Sequence, residues 1–278
     1  MNKIFFNAYG KTNENVLIEN IPEIIKSLLI DDIILMKDSC GNYLIDENSF
    51  ITAIQKRNNW IGAFSLEKIS SREILNLLCD YSDSIIIFDN MNRLKILTLD
   101  NIELFTEIEE SDIMLDKDNL LDLTIRKENK YYNHFTINYK KDYYTGKYTK
   151  SEYIYPEKSS LNTNENTHNK YGSYTNICNY SFNLYGDKRE LVINCELVRD
   201  RITAVNILKK IVERKSIKKD IVIFKSILTN KILKLEIGDQ ILLNISDLFL
   251  QDKFFIIYEI NYDLLKSIAE IKAIQINI

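Results

Sequence analysis

The residue pair best spaced for chemistry is Glu270 and Lys272, an E-x-K in the run "AEIKAI" near the C-terminus. On a strand, alternate positions share a face, so carboxylate and ammonium stand together. Metal-dependent nucleases use such a pair: the carboxylate holds a divalent ion, the ammonium orients or activates water, and an Asp on a neighbouring strand completes the site. Asp239 and Asp263 are the available third residues. The plainer reading is that Glu and Lys at alternate positions form the wet face of a half-buried strand. A second feature is "LKLEIGDQILLNI", Leu233 to Ile245, where apolar and polar residues alternate except at Gly238-Asp239. The pair suits a catalytic turn, a metal site or a bend. With no ligand pattern beside it, the bend is preferred: Gly238 supplies backbone freedom and Asp239 caps the bend with its side chain.

Other chemistries find little support. No GxxxxGKS/T or GxGxxG occurs, and seven scattered glycines are too few for a phosphate-cradling loop. HExxH and GxSxG are absent, and a serine triad would have to use His134, in an alternating strand run, or His168, in a polar loop. "DKDNLLD" gives Asp116 and Asp118 the spacing of a calcium loop, but position six is Leu121 and Lys127 stands where the bidentate Glu belongs. Cys40, Cys79, Cys178 and Cys195 form no CxxC, so they read as small core residues rather than zinc ligands or disulfides. The tyrosines of "KYYNHFTINYKKDYYTGKY", with Tyr143, Tyr144 and Tyr148 foremost, would suit a glycan- or nucleic-acid-stacking surface, yet Tyr and Thr are also ordinary strand formers. No catalytic residue, cofactor or metal is assigned.

The elements that must position these residues are mixed. The chain has 278 residues, 45% hydrophobic, enough for one large or two ordinary domains with real cores. A formal charge of -4, without long runs of one sign, argues against a broad nucleic-acid-binding face and leaves a folded basic patch open. No signal peptide opens the chain and no apolar run nears about 18 residues, so a soluble product made in the cytosol is expected, with no membrane-spanning segment. Abundant Ile, Asn, Lys and Tyr reflect an AT-rich coding bias as much as function.

Three short helices are expected first. Asn20, Pro22 and Glu23 open one over about residues 21–30, Asp46 precedes one with Phe50, Ala53 and Ile54 on one face, and Ser70 with Glu73 makes a capping box for a third. A hairpin about Asp89 to Asn92 follows, and "WIGAFSLE" reads as a short strand. Residues 107–130 read as an acidic, then mixed, connector, "LDLTIRKENKYYNHFTINYKKDYYTGKYTKSEYIY" as three strand-like runs with a turn at Tyr144 to Gly146, and residues 156–171 as an exposed polar loop. Strands are expected near 189–195, 220–228, 232–244, 253–262 and 267–277, with a helix over about 200–215 carrying Ala204, Ile207, Leu208 and Ile211 on one face. The class is α+β, with short packed helices and a strand-rich C-terminal half, divided into a mixed unit (1–126) and a β-rich unit (127–278).

The order of segments adds a resemblance. "NIPEIIKSLL", "LIDENSFITAIQKR" and "SREILNLLCDYSDSIIIFDNMNRLKIL" resemble the succession in bacteriophage tail hub and tail-tip proteins, where a short helix precedes an "ID..SF..A" segment and an "eIL..L" helix leads into a hairpin. Downstream, "HFTINYKKDYYTGKY", "THNKYG", "LVRDRITAVNILKKIVER", "LKLEIGDQILL" and "FFIIYEINYDLLKSIAEIKAI" look like that family's later strands, "S...YG" element, "tA" helix, "l.lGD.v.l" segment and closing strand pair. The likeness runs from Ile21 to Ile276; Asn90 to Asn92 carry no Gly where the family usually turns with one. It implies a non-enzymatic virion protein with β-barrel-like domains, assembled in the host cytoplasm. It would form a ring, often a homotrimer, at the distal end of the tail tube, touching tail-tube, tape-measure, spike, fibre or baseplate proteins. DNA would pass its lumen without specific binding. Gly238 and Asp239 then mark a structural turn within a barrel strand.

Overall fold

The computed structural model describes residues 12–13, 16–32, 37, 40–58, 60–62, 70–99, 105–156, 171–245 and 250–276. The pair β1 (Thr12–Asn13) and β2 (Val16–Leu17) precedes α1 (Ile21–Ser27), which runs on as a π turn to Asp32. Asn20 caps α1 by accepting the Glu23 N–H at 3.3 Å. Asp46 flanks α2 (Glu47–Lys56) without a side-chain cap; instead the Ser49 hydroxyl donates back to its carbonyl at 2.7 Å. The capping box of Ser70 and Glu73 opens α3 (Ser71–Ser82), followed by the hairpin β3 (Ser84–Phe88) and β4 (Leu94–Thr98). At its turn the Asp89 carboxylate accepts the N–H groups of Met91 (2.9 Å) and Arg93 (2.8 Å), and Asn92 takes the left-handed backbone, φ 56°, in place of a glycine.

Next come β5 (Phe105–Glu109), β6 (Leu123–Lys127), β7 (His134–Asp142), β8 (Lys147–Ile154), α4 (Ser173–Tyr185), β9 (Glu190–Asn194), α5 (Arg201–Lys215), β10 (Asp220–Ile227), β11 (Gln240–Asn244), β12 (Lys253–Asp263) and β13 (Ile268–Gln275). The class is α+β, as expected. A three-stranded sheet, β8-β7-β9, is antiparallel between β7 and β8 and parallel between β7 and β9. A six-stranded sheet runs β5-β11-β12-β13-β10-β6 and is open, since no pairing among the described residues joins β5 to β6.

Two apolar cores result. The first joins α1, α2, α3 and the β3–β4 hairpin to the three-stranded sheet and α5 through residues such as Phe50, Leu78, Ile96, Ile137 and Leu208. The second lies on one face of the six-stranded sheet, around Ile108, Phe224, Ile241, Phe255 and Ile271. Burying each such side chain is worth about 1.5–3 kcal/mol before ordering costs. Each core draws on residues from both sides of position 126, which itself falls within β6.

Several expectations need correction. Residues 107–130 are not merely a connector: the strand-like run at "LDLTIRK" is β6, and β5, which was not expected, forms the opposite edge of the larger sheet with its polar residues facing solvent and Ile108 fully buried. The run 232–244 is not one strand. Ile232–Lys234 forms a 3-10 turn and β11 begins only at Gln240, so Gly238 and Asp239 lie at its entry. Helix α4 was not expected; its buried face is Thr175, Cys178 and Ser181, which carry no hydrophobic periodicity. Cys40 is exposed, whereas Cys178 and Cys195 are buried and their thiols are pushed up to about 12 by desolvation. Of "WIGAFSLE" only Trp60 to Gly62 are among the described residues, and residues 157–170, with His168, lie outside them.

Candidate functional site

The segment before β11 is where the two cores meet. Glu236 reaches across to the hairpin of the first core: its carboxylate accepts the Asn90 N–H at 3.0 Å and pairs with Lys95 at 3.2 Å. Two residues on, Gly238 has φ +90°, and a Cβ there would stand 2.0 Å from Leu97 Cδ1 of β4. Asp239 closes the turn by accepting the Glu236 N–H at 2.8 Å, while its own N–H donates to the Glu236 carbonyl at 3.1 Å. The turn is then fixed to β12: the Gly238 N–H donates to Ile257 O at 2.7 Å, and the Ile257 N–H to Asp239 O at 2.9 Å. The β12–β13 register shifts just beyond, between Ile257 and Glu259. Tyr262 adds a hydrogen bond from its hydroxyl to Leu235 O at 3.1 Å. Burial raises the Asp239 carboxyl above its ordinary value, opposed by the Glu236 N–H and the Lys95 charge. This constellation can orient one core on the other; it offers no exposed nucleophile.

A second junction lies where α5 hands the chain to β10. Asp83, in the left-handed region at φ 51°, ends α3 and sits 3.9 Å from the buried guanidinium of Arg57. It is also paired with Arg214 of α5. Arg57 further donates from Nε to Ser82 O at 2.7 Å and stacks over Trp60, 4.6 Å from the ring centroid. Beside them Lys219 is buried; desolvation and the Arg214 charge pull its ammonium down to about 8, against the pull of Glu128 and Asp83. None of Asp83, Arg57, Arg214 or Glu236 stood out in the sequence, because their partners are distant along the chain.

The residues that did stand out are placed differently from a nuclease site. Lys272 pairs with Glu259 of β12 at 2.8 Å and lies 3.9 Å from Glu270. Glu259 also accepts from Asn261 at 2.8 Å. Asp263 pairs with Lys266 at 3.0 Å in the β12–β13 turn, and Asp239 is committed to its own bend. Among the described residues no three His, Cys, Asp or Glu side chains converge as a metal site. Asp116 spends its carboxylate on the N–H groups of Asp118 (2.8 Å) and Leu120 (3.0 Å). Tyr143 donates to Glu196 O at 3.2 Å with Lys141 and Arg199 against its ring, Tyr144 is exposed at the turn tip, and Tyr148 is partly buried beside Lys141 in the ladder. His134 is a buried strand histidine, 2.8 Å from Asn133 Oδ1; burial and the Lys188 charge lower its pKa. No helix among the described residues is long and apolar enough to cross a membrane.

No family model matches the chain, and no curated protein matches it. Among solved structures it is similar to the 43 kDa tail protein of prophage MuSo2 from Shewanella oneidensis, with TM-score 0.41, 15% identity, and coverage of 76% of this chain and 54% of that one. It is also similar to prophage tail protein gp18 from Listeria monocytogenes EGD-e, with TM-score 0.39, 13% identity, and 73% and 51% covered. A third is a tail protein from Neisseria meningitidis MC58, with TM-score 0.47, 9% identity, and 92% and 66% covered. The chain thus spans between about half and two thirds of the length of these proteins.

Proposed function

We propose that the protein is a non-enzymatic structural part of a phage or phage-derived tail. It sits in the hub or tail-tip ring at the distal end of the tail tube and connects the tube to spike, fibre or baseplate proteins. The observation that supports this is the order of motifs from Ile21 to Ile276, whose "ID..SF..A", hairpin and "l.lGD" segments are also the segments from which the two cores and the Glu236–Asp239 joint are built. A part of this kind works through interfaces and fixed geometry rather than turnover. Its partners are further copies of itself, in a homotrimeric ring, together with tail-tube and tape-measure proteins. The test is mass spectrometry of purified particles combined with negative-stain imaging. The protein is expected in the particle at a few copies, at the tube's end; a chain absent from particles refutes the reading.

A further inference from the structure

The six-stranded sheet ends in two edges of opposite charge. β5 carries Glu107 and Glu109, followed at once by Glu110. β6 carries Arg126 and Lys127, neither with an ion-pair partner among the described residues. Tracing the registers across the sheet from Glu107–Leu242 through Leu242–Phe254, Ile256–Ile274 and Ile274–Ile221 to Ile221–Arg126 places Glu107, Glu109 and Arg126 on the same face. Direction also agrees. β5 is parallel to β11, and the three antiparallel steps from β11 to β10, followed by one more to β6, leave β5 and β6 running the same way.

Exposed edges present unpaired N–H and C=O groups, and a folded protein covers them, blunts them or uses them. In β6, Asp122 O and Glu128 N bond towards β10, so the even positions face inward and the backbone groups of Ile125 and Lys127 point to the open side. A second copy turned about an axis along the strands would bring its β5 alongside this β6 in parallel. That contact is heterologous, so it repeats from copy to copy and makes a ring where the rotation between copies closes.

We propose that copies of this chain associate edge to edge, β6 of one against β5 of the next, with Arg126 and Lys127 facing Glu107, Glu109 and Glu110 across the seam. Like edges are kept apart by like charge and unlike edges are drawn together, which sets one direction around the assembly. The inference deepens the ring reading and rests on it for copy number.

The test uses the purified full-length chain in sedimentation and mass photometry at low and high salt. Wild type should self-associate, less so at high salt. Arg126→Glu and Glu107→Lys should each weaken association at least tenfold, and Arg126→Glu/Glu107→Lys together should restore it. Ile125→Pro, which removes an outward N–H without touching the β10 ladder, should weaken it in the same way. A wild-type chain monomeric at every concentration overturns the edge pairing. So does association that the single variants leave unchanged, or that the double variant fails to recover. Presence of the protein in purified particles decides the tail reading independently of these results.

Discussion

At the Glu236–Asp239 joint the two cores are held mainly by shape: a glycine at positive φ lets Leu97 lie against bare backbone, with one carboxylate, Glu236, bonded across to Asn90 and Lys95. At the Asp83 junction, inside the first core where α5 hands the chain on to β10, α2, α3 and α5 are held together by charge, with one carboxylate set between two arginines and a lysine buried nearby. The first arrangement is most sensitive to a change of volume at Gly238 and less so to loss of the partly exposed Glu236–Lys95 pair. The second tolerates no loss of charge, because removing one partner strands the others in a poorly solvated place. Both respond to pH, the charged junction through Lys219 and the packed one through Asp239.

Substitutions can break that contrast, beginning with the largest effect. Asp83→Ala is expected to destabilise by about 3–5 kcal/mol, since the carboxylate set between Arg57 and Arg214 is lost from a poorly solvated place. Urea unfolding followed by circular dichroism measures it, and a loss below about 1 kcal/mol would mean that Arg57 finds other partners.

Gly238→Val should cost less, about 2–3 kcal/mol: left-handed backbone strain plus a contact that Leu97, a flexible side chain, can only partly relieve. The double variant Gly238→Ala/Leu97→Ala sharpens this. Removing Leu97 should recover the contact part and leave the backbone part, so a full recovery would contradict the φ argument.

Lys219 sets the pH test. Its folded pKa, about 8, lies below the ordinary lysine value of 10.5, so between these the unfolded chain binds the extra proton and stability rises with pH through that window. The size is on the order of 3 kcal/mol at most. Lys219→Met should flatten the slope and raise stability near neutral pH. The smallest effect belongs to Glu270→Ala, whose side chain lies on the wet face of β13: the unfolding midpoint should not move beyond error, and incubation with magnesium or manganese should leave DNA intact for both proteins.

Much of the local structure was legible because its signals are local. The caps at Asn20 and Ser70 begin helices where they were expected, and the helix expected over about 200–215 opens at Asp200, which accepts the Thr203 N–H at 2.9 Å. The Asp89 to Asn92 turn needed no glycine because the Asp89 side chain organises it and Asn92 tolerates αL. Where the signal was absent, the expectation failed. α4 packs through small polar residues, and Ser181 donates to Ser216 O at 2.5 Å instead of filling an apolar pocket. The alternation in "LKLEIG" is equally compatible with a strand and with a 3-10 turn whose buried residues are Ile232 and Leu235.

The sequence by itself determined the α+β class, the capped helices, the hairpin and the fact that something must bend at Gly238-Asp239, because each depends on neighbours within a few residues. Only the tertiary structure decided that Gly238 is bare so that Leu97 can approach, that Glu270 and Lys272 belong to a solvated ion pair with Glu259, and that β5 and β6 become opposite edges of one sheet. Those outcomes depend on which distant segments pack together, and side-chain periodicity records which face is buried without naming the surface that buries it.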